Sequence, residues 1–286
     1  MSTVRKTFSA ILILVSLCFA ILNIQKTEAG TLIQTKTDTA TVNTTVNAVF
    51  TSTPTSGNLL VAIAGTNLSI GLNAPAGWTT AISQNGLPSQ AIFYKISDGS
   101  ETSVTVTSTA VVDFLGLHIY EYAGQGTIGS VNSNSETGIT TLIDQTVLTG
   151  EVTTNQDNDI TIGAFNAAAG ISGYTSWGGE FTERTDFGNT SGRLGGGDRL
   201  SSTEGSTLEG TSELSGAGSG VTWRGQIVTF SQTTATYLKV TGGTTMDAGD
   251  SNELTITAYD SGDSVATGYT GAKTLTFSGL SDAPDT

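Results

Sequence analysis

The chain has 286 residues, a formal net charge of −14 and a single cysteine. Affinity for phosphate groups depends on Lys and Arg side chains that release counterions, so we expect no nucleic-acid partner for so acidic a protein. The negative charge is typical of a protein kept soluble by self-repulsion. The lone cysteine, Cys18, lies near the N-terminus, so the rest of the chain has neither a disulfide nor a cysteine-ligated zinc site.

The first 29 residues have the pattern of a secretory signal peptide. Arg5 and Lys6 precede an apolar run over about residues 8–24, and Thr27-Glu-Ala29 has the small-x-small form of a cleavage site. The run approaches the roughly 20 residues that span a bilayer, so an uncleaved anchor is the alternative. We expect cleavage after Ala29 and a secreted or cell-surface protein, which touches a membrane only through this segment if it stays uncleaved.

Residues 30–232 predict an antiparallel β-sandwich. Runs rich in β-branched and aromatic residues alternate with Gly, Asn and Asp turn residues. The clearest runs are residues 59–64, 91–96, 103–107, 114–120, 159–163 and 225–230. No stretch after residue 29 has the periodicity and caps of a helix, which disfavours a parallel α/β sheet.

Part of this region resembles a jelly-roll-like β-sandwich domain of secreted bacterial and phage tail-associated proteins. The resemblance depends on residues 57–63, Pro75-Ala-Gly-Trp78, residues 92–95, residues 98–106 and Tyr120-Glu-Tyr-Ala-Gly124. It covers most of residues 50–125. The resemblance implies an architecture and assigns no catalytic residue.

The strand pattern weakens between residues 170 and 220, where Gly195-Gly-Gly197 has the composition of a linker. The strong strand pattern over residues 221–230 indicates that this stretch still belongs to the same domain. We therefore predict long loops and edge strands here. The predicted sandwich domain runs from about residue 30 to 232.

The remaining residues, 233–286, resemble the first half of a bacterial immunoglobulin-like surface repeat of the filamin or invasin kind. The resemblance depends on residues 235–241, 248–258, 265–271 and 275–278. Such a repeat has about seven strands and about 100 residues, so we expect completion by another partner or by further domains of the same protein beyond Thr286. The predicted fold class is all-β: an antiparallel jelly-roll-like β-sandwich followed by a truncated immunoglobulin-like β domain.

Residue types suited to catalysis are scarce. His118 is the only histidine, and without a Gly-x-Ser-x-Gly elbow we interpret it as a strand residue with a satisfied ring nitrogen. A glycosidase would need two carboxylates about 5–10 Å apart in one cleft. On a strand, Glu180 and Asp186 would share a face, and Glu183 would lie on the other. The acidic strand signature of laminarinase-like sandwiches is missing, so we predict no catalytic residue.

Two weaker sites are predicted. Trp177 is the one tryptophan expected to face solvent, and together with Glu180 and Asp186 it is the candidate ligand-binding group for a glycan. Asp157 and Asp159 are the candidate metal ligands, with Asn155 and Asn158 beside them. Further calcium candidates are residues 247–252 and 260–263. Asp and Asn are also favoured in turns, so turns are the first interpretation, and calcium is the one cofactor left open.

These observations predict a secreted or cell-surface, non-enzymatic structural or adhesion protein, with a β-sandwich recognition domain and immunoglobulin-like stalk repeats. Its expected partner is an extracellular glycan or a cell-envelope component. The alternative is a carbohydrate-binding module accessory to a secreted polysaccharide-acting enzyme.

Overall fold

The computed structural model describes residues 30–123, 126–141, 145–233, 235–242, 254–260, 263 and 265–266. The predicted signal peptide and most of the predicted immunoglobulin-like region lie outside these residues. Eighteen β-strands, all paired antiparallel, occur within them, and this confirms the all-β sandwich class. None of the described ranges contains a helix long and apolar enough to cross a membrane.

The first eight strands form one sandwich. Sheet A has the strand order β1-β8-β3-β6-β5, and sheet B has the order β2-β7-β4. Consecutive strands change sheet at every step except from β5 to β6, which is the alternation of a jelly roll. The strands are β1 Leu32–Ala40, β2 Asn43–Val49, β3 Leu59–Thr66, β4 Leu72–Asn73, β5 Thr79–Gln84, β6 Ser89–Ile96, β7 Ser103–Val112 and β8 Leu115–Tyr122.

The next eight strands repeat this arrangement. Sheet C has the order β13-β14-β11-β16-β9, and sheet D has the order β10-β15-β12. Adding eight to each strand number of the first sandwich reproduces both orders, so two sandwiches of one topology occur where the sequence predicted a single sandwich. The strands are β9 Ile128–Ile139, β10 Thr146–Thr153, β11 Ile160–Ala167, β12 Gly173–Gly178, β13 Thr182–Gly188, β14 Arg193–Arg199, β15 Thr207–Ser215 and β16 Thr222–Gln232.

The four sheets stack in the order B, A, C, D. Strand β3 is buried along its whole length, because sheets B and C cover its two faces. Leu60 and Ala62 belong to the core between sheets A and B. The alternate residues Val61 and Ile63 belong to the core between sheets A and C. This double burial explains why β3 and β11 are continuous apolar runs.

Sheets A and C meet with a pseudo-two-fold relationship. At the centre β3 contacts β11, which is its own equivalent. On one side β6 contacts β16, and on the other side β8 contacts β14. Because β14 is the equivalent of β6 and β16 is the equivalent of β8, the same pair of equivalent strands meets on both sides. This is the pattern of an isologous dimer interface, formed here within a single chain.

Two further strands, β17 Tyr237–Thr241 and β18 Thr255–Tyr259, pair with each other. Tyr237 and Tyr259 stack on one face with ring centroids 5.5 Å apart. Leu238 and Val240 alternate onto the other face and are exposed. The assignment of this region to an immunoglobulin-like repeat stays a prediction.

Candidate functional site

The single histidine lies between the two large sheets. His118, Tyr120 and Tyr122 alternate on β8, so all three side chains point from sheet A toward sheet C. His118 is fully buried, and its ring lies against Phe187 with centroids 4.4 Å apart. Its Nδ1 is 3.1 Å from the Tyr120 hydroxyl and also hydrogen-bonds with Thr185 of β13. Its Nε2 is buried and has no partner among the described residues.

A carboxylate and a guanidinium extend this set of contacts. The Tyr122 hydroxyl donates to Asp198 Oδ2 at 2.9 Å, and Arg184 donates from Nε and Nη2 to Asp198 Oδ1, both at 2.9 Å. Asp198 is only 1 % exposed, so this ion pair is shielded on the carboxylate side. We call the six residues the inter-sheet polar cluster: His118, Tyr120, Tyr122, Arg184, Thr185 and Asp198.

Burial determines the protonation states in this cluster. It holds the pKa of His118 well below the usual value and raises the pKa of Tyr120 and of Tyr122 well above theirs. Burial also raises the pKa of Asp198, and the Arg184 charge and the Tyr122 hydrogen bond oppose that shift. At neutral pH the cluster therefore contains a neutral imidazole and two protonated phenols, and the Asp198 carboxyl group lies 2.9 Å from the Arg184 guanidinium.

This geometry differs from that of a catalytic triad. A triad needs the acid on one ring nitrogen of the histidine and the nucleophile on the other. In this cluster Nδ1 of His118 contacts both hydroxyl groups, and Asp198 hydrogen-bonds with Tyr122 and Arg184 instead. What the arrangement does is join sheets A and C through hydrogen bonds.

The triplet Gly195-Gly-Gly197 makes room for three rings. It lies in β14, between β13 and β11, so the predicted loops and edge strands are wrong at this point. A Cβ at Gly196 would lie 2.2 Å from the Tyr120 hydroxyl oxygen, on the side of sheet A. On the side of sheet D, Cβ atoms at Gly195 and Gly197 would lie 2.5 Å from Tyr174 and 2.8 Å from Trp177. The glycines therefore permit close packing, and they do not form a linker.

Trp177 is partly exposed, and one side of its ring packs against the core where the sequence predicted a ring that faces solvent. Its ring centroid is 5.0 Å from that of Phe165, and its indole nitrogen is buried without a partner among the described residues. The ring occupies the space that Gly197 leaves open, which the sequence pattern did not reveal. A ligand-binding role for Trp177 stays a prediction.

The acidic residues near Trp177 pair differently from the sequence prediction. Glu180 lies in a turn before β13 with φ of 62°, and its carboxylate pairs with Arg199 at 2.7 Å. A β-bulge between Glu183 and Thr185 adds one residue. Glu183 and Asp186 consequently share the face that was predicted for Glu180 and Asp186.

Local contacts hold Asp186 in place. Its Oδ1 accepts a hydrogen bond from Arg193 Nε at 2.5 Å, and its Oδ2 accepts one from the backbone N–H of Tyr174 at 3.0 Å. Glu183 is exposed, and partial desolvation of its carboxylate, followed by the charge of Asp186, raises its pKa. This face of β13 therefore carries Glu183 and Asp186 on the side where Trp177 packs over Gly197, and Arg193 pairs with Asp186.

The candidate metal ligands serve as turn residues. Asp159 Oδ2 accepts from the backbone N–H of Asn155 at 2.8 Å and from the Ser231 hydroxyl at 2.7 Å. Asp157 Oδ1 accepts from the backbone N–H of Glu204 at 2.9 Å. No three His, Cys, Asp or Glu side chains converge for a metal ion in the described part of the chain. The candidates at 247–252 lie outside it, and the metal role of Asp157 and Asp159 stays a prediction.

Sequence reasoning missed Tyr122, Arg184 and Asp198. One signal was available: Tyr120 and Tyr122 share the period of two with His118, so they mark a face of β8 that buries polar atoms. Nothing in the sequence identified the partners of these phenols, because Asp198 follows a glycine triplet with the composition of a linker.

No protein-family model matches this chain, and neither the curated proteins nor the solved structures contain a significant match. The geometry above and the sequence are therefore the basis for a functional proposal.

Proposed function

We propose that the protein is exported and acts as a non-enzymatic structural or adhesion protein, with residues 32–232 as a rigid recognition body and the following residues as the start of an immunoglobulin-like stalk. One observation carries this proposal. The inter-sheet polar cluster, where the lone histidine and a buried carboxylate come together, is used to join two sandwiches.

The interface between sheets A and C supports a rigid body. On the β8 and β14 side, Tyr122 contacts Asp198. At the pseudo-two-fold equivalent, Tyr94 of β6 lies edge-on to Phe230 of β16 at 5.2 Å. Both halves of the interface are thus held together, one by a hydrogen bond and the other by an aromatic contact. Sheets B and D then lie at a fixed separation, which suits a protein that presents surfaces to a partner.

Loops fixed without disulfides also suit an extracellular structural role. In the first sandwich the buried carboxylate of Glu121 accepts from Thr55 N at 2.8 Å and from Asn58 Nδ2 at 2.6 Å. In the second, Asp159 holds the loop at Asn155. The loop before the third strand of each sandwich is therefore held by a carboxylate, and charged hydrogen bonds of this kind are among the stronger ones.

Export can be tested on the full chain in a bacterial secretion host. The mature N-terminus is read by mass spectrometry, and protease is added to intact cells. We expect a chain beginning at Gly30 that is released or is degraded by external protease. An uncleaved chain that retains residues 1–29 and stays in the cytoplasm, where the external protease does not reach it, would contradict the proposal.

The non-enzymatic role is tested by incubating the purified protein with a panel of polysaccharides and esters. We expect no turnover above a heat-treated control. Turnover that disappears in Glu183→Gln or Asp186→Asn, and persists in the surface control Glu204→Gln, would overturn this role and assign hydrolysis to β13.

One observation favours the alternative of a carbohydrate-binding module. The bulge in β13 brings Glu183 and Asp186 to the face where Trp177 lies, with Arg193 beside them. Carboxylates and a guanidinium next to an aromatic ring are groups that hydrogen-bond to sugar hydroxyls.

Glycan-array binding distinguishes this alternative from adhesion through another surface. The useful variant is Glu183→Gln, because Glu183 is exposed, whereas replacing Trp177 would also disturb its packing on Phe165. Binding that falls at least tenfold in Glu183→Gln and is unchanged in Glu204→Gln supports the module. Absence of binding to every glycan removes it.

A further inference from the structure

The loop between β5 and β6 contains Asn85-Gly86, the only Asn-Gly pair in the chain. The Asn85 side chain is exposed, and it makes no hydrogen bond within the described part of the chain. The backbone N–H of Gly86 likewise has no acceptor among the described residues. Because glycine has no side chain to shield its backbone and leaves that backbone free to rotate, the Gly86 nitrogen is accessible to the neighbouring side-chain amide.

The equivalent loop of the second sandwich, between β13 and β14, holds its asparagine in place. Asn189 Oδ1 accepts a hydrogen bond from the backbone N–H of Ser191 at 2.8 Å, and Asn189 Nδ2 donates to the carbonyl oxygen of Asp113 at 2.9 Å. The next residue is Thr190, whose side chain crowds its own nitrogen. Asn189 is therefore an internal control for Asn85 at the matching position of the fold.

A guanidinium from sheet C lies against this loop. Arg224 of β16 donates from Nε to the carbonyl oxygen of Pro88 at 2.8 Å, and a Cβ at Gly86 would lie 2.1 Å from Arg224 Nη2. The bond lengths within one residue then place Nη2 within about 5 Å of the Gly86 nitrogen. The other three arginines that the structure describes each pair with a carboxylate. Arg224 is only 8 % exposed, and no described carboxylate lies within ion-pair distance of it.

The charge of Arg224 favours a reaction at the Gly86 nitrogen. Burial lowers the pKa of Arg224, but a guanidinium stays protonated near neutral pH. A positive charge within about 4–6 Å stabilises the negative form of a neighbouring group. The attacking form of a backbone amide is its deprotonated nitrogen, and attack on the Asn85 amide carbon produces an oxyanion. Arg224 therefore stabilises negative charge at the point where this reaction creates it.

We propose that Asn85 is a site of covalent self-modification, in which Arg224 promotes attack of the Gly86 backbone nitrogen on the Asn85 side-chain amide. The nitrogen loses its proton and bonds to Cγ, the bond from Cγ to Nδ2 breaks, and ammonia leaves. Water then opens the resulting succinimide ring at either carbonyl carbon, which leaves aspartate or isoaspartate at position 85. No group is oxidised or reduced. The new carboxylate lies in the loop that Arg224 contacts and gives the guanidinium an anionic neighbour.

Peptide mapping by mass spectrometry tests the modification on the wild-type protein. The folded protein is incubated at mildly alkaline pH in water enriched in oxygen-18. We expect Asn85 to become a mixture of aspartate and isoaspartate that carries one solvent oxygen, while Asn189 stays intact. In urea, which separates Arg224 from Gly86, the conversion at Asn85 should be slower. An unmodified Asn85 in the folded protein, or a faster conversion in urea, would overturn the proposal.

Arg224→Gln tests the role of the guanidinium, because it removes the charge and keeps a planar amide. We expect conversion at Asn85 to slow about tenfold, which corresponds to about one pKa unit in the ionisation of the attacking nitrogen. The matched control Arg199→Gln loses a different arginine, paired with Glu180, and should keep the wild-type rate. A folded Arg224→Gln protein that converts at the wild-type rate would refute the role of Arg224.

Asn85→Asp tests the product, because it carries the new carboxylate from the start. In a protein with a net charge of −14, a further negative charge adds to self-repulsion and lowers stability. Beside Arg224 it should instead raise the unfolding midpoint by about 2–4 °C, and this rise should be absent in the Arg224→Gln background. The same effect of Asn85→Asp in both backgrounds would contradict a carboxylate beside Arg224.

Discussion

Gly196 of sheet C lies against the Tyr120 hydroxyl of sheet A, where a Cβ would be only 2.2 Å from the oxygen. The same Cβ would lie 2.8 Å from His118 Nδ1 and 3.2 Å from Ile63. The two sheets can approach this closely because residue 196 has no side chain. The contact places the glycine triplet of the second sandwich directly against the inter-sheet polar cluster.

Replacing Gly196 by Ala should therefore weaken the interface. Forcing a methyl group into a packed core displaces its neighbours and lowers the free energy of unfolding by about 1–3 kcal/mol. Urea unfolding followed by tryptophan fluorescence measures the change. Gly218→Ala is the matched control, because a Cβ at Gly218 meets no atom within 4 Å. Equal stability of the two variants would contradict the packing described here.

The strand positions were largely predictable from the sequence, but the role of the glycine triplet was not. Residues 59–64 fall within β3, and residues 160–163 of the predicted run 159–163 fall within β11, because buried central strands are continuous apolar runs. In Gly195-Gly-Gly197 the local composition predicts a loop. The need for glycine is imposed by Tyr120, Tyr174 and Trp177, and their placement depends on tertiary packing that local propensity does not encode.

The candidate sites were predicted less well, for two physical reasons. His118 and Asp198 belong to one cluster only because the second sandwich packs on the first, and 80 residues of sequence separate them. Glu183 and Asp186 share a face because of a bulge at Arg184, and a single extra residue inverts every prediction based on a period of two.

Protonation of His118 should make stability depend on pH. Burial lowers the pKa of this histidine in the folded state, so between its folded and unfolded pKa values the unfolded chain binds the proton and the folded chain does not. The contribution is complete above about pH 6.5 and is lost as the pH falls. We expect a loss of about 1.4 kcal/mol per pH unit below 6.5, until the folded-state pKa is reached.

The difference between wild type and His118→Gln isolates this contribution, because Asp198 acts in the opposite direction. Burial raises the pKa of Asp198, so its protonation in the folded state favours the fold as the pH falls. The free energy of unfolding of both proteins is measured by urea titration from pH 8 to 5. Parallel pH profiles would show that His118 titrates normally and is not desolvated.

Tyr122 and Asp198 should be energetically coupled. Tyr122→Phe removes the donor to a buried carboxylate, and hydrogen bonds to charged groups contribute about 1.5–3 kcal/mol. We predict that the double variant Tyr122→Phe/Asp198→Asn is less destabilised than the sum of the single variants, by about 1–2 kcal/mol. Additive effects in this cycle would contradict the 2.9 Å hydrogen bond.

Two glutamates oppose each other in sheet D. Glu151 of β10 is the direct cross-strand partner of Glu209 of β15, and burial, followed by the charges of Glu151 and Glu136, raises the pKa of Glu209. Like charges in this position are destabilising. Glu151→Gln should increase the free energy of unfolding by about 0.2–1 kcal/mol, less at high salt.

The control for this prediction is Glu204→Gln, which removes an exposed charge from a loop. Urea unfolding at low and high ionic strength measures both variants. The same gain in Glu204→Gln would assign the effect to net charge and not to the cross-strand pair, and a destabilised Glu151→Gln protein would contradict the predicted repulsion.

The imidazole resonances of His118 give the most direct test of the central claim, that the lone histidine joins two sheets and does not serve a reactive centre. Since the chain has one histidine, a tag-free sample gives a single set of ring signals by NMR. We predict ring chemical shifts of a neutral imidazole that stay constant from pH 8 to 5.5 while the protein is folded. Shifts that titrate with a midpoint near 6.5 would show an accessible, ionising side chain and would contradict it.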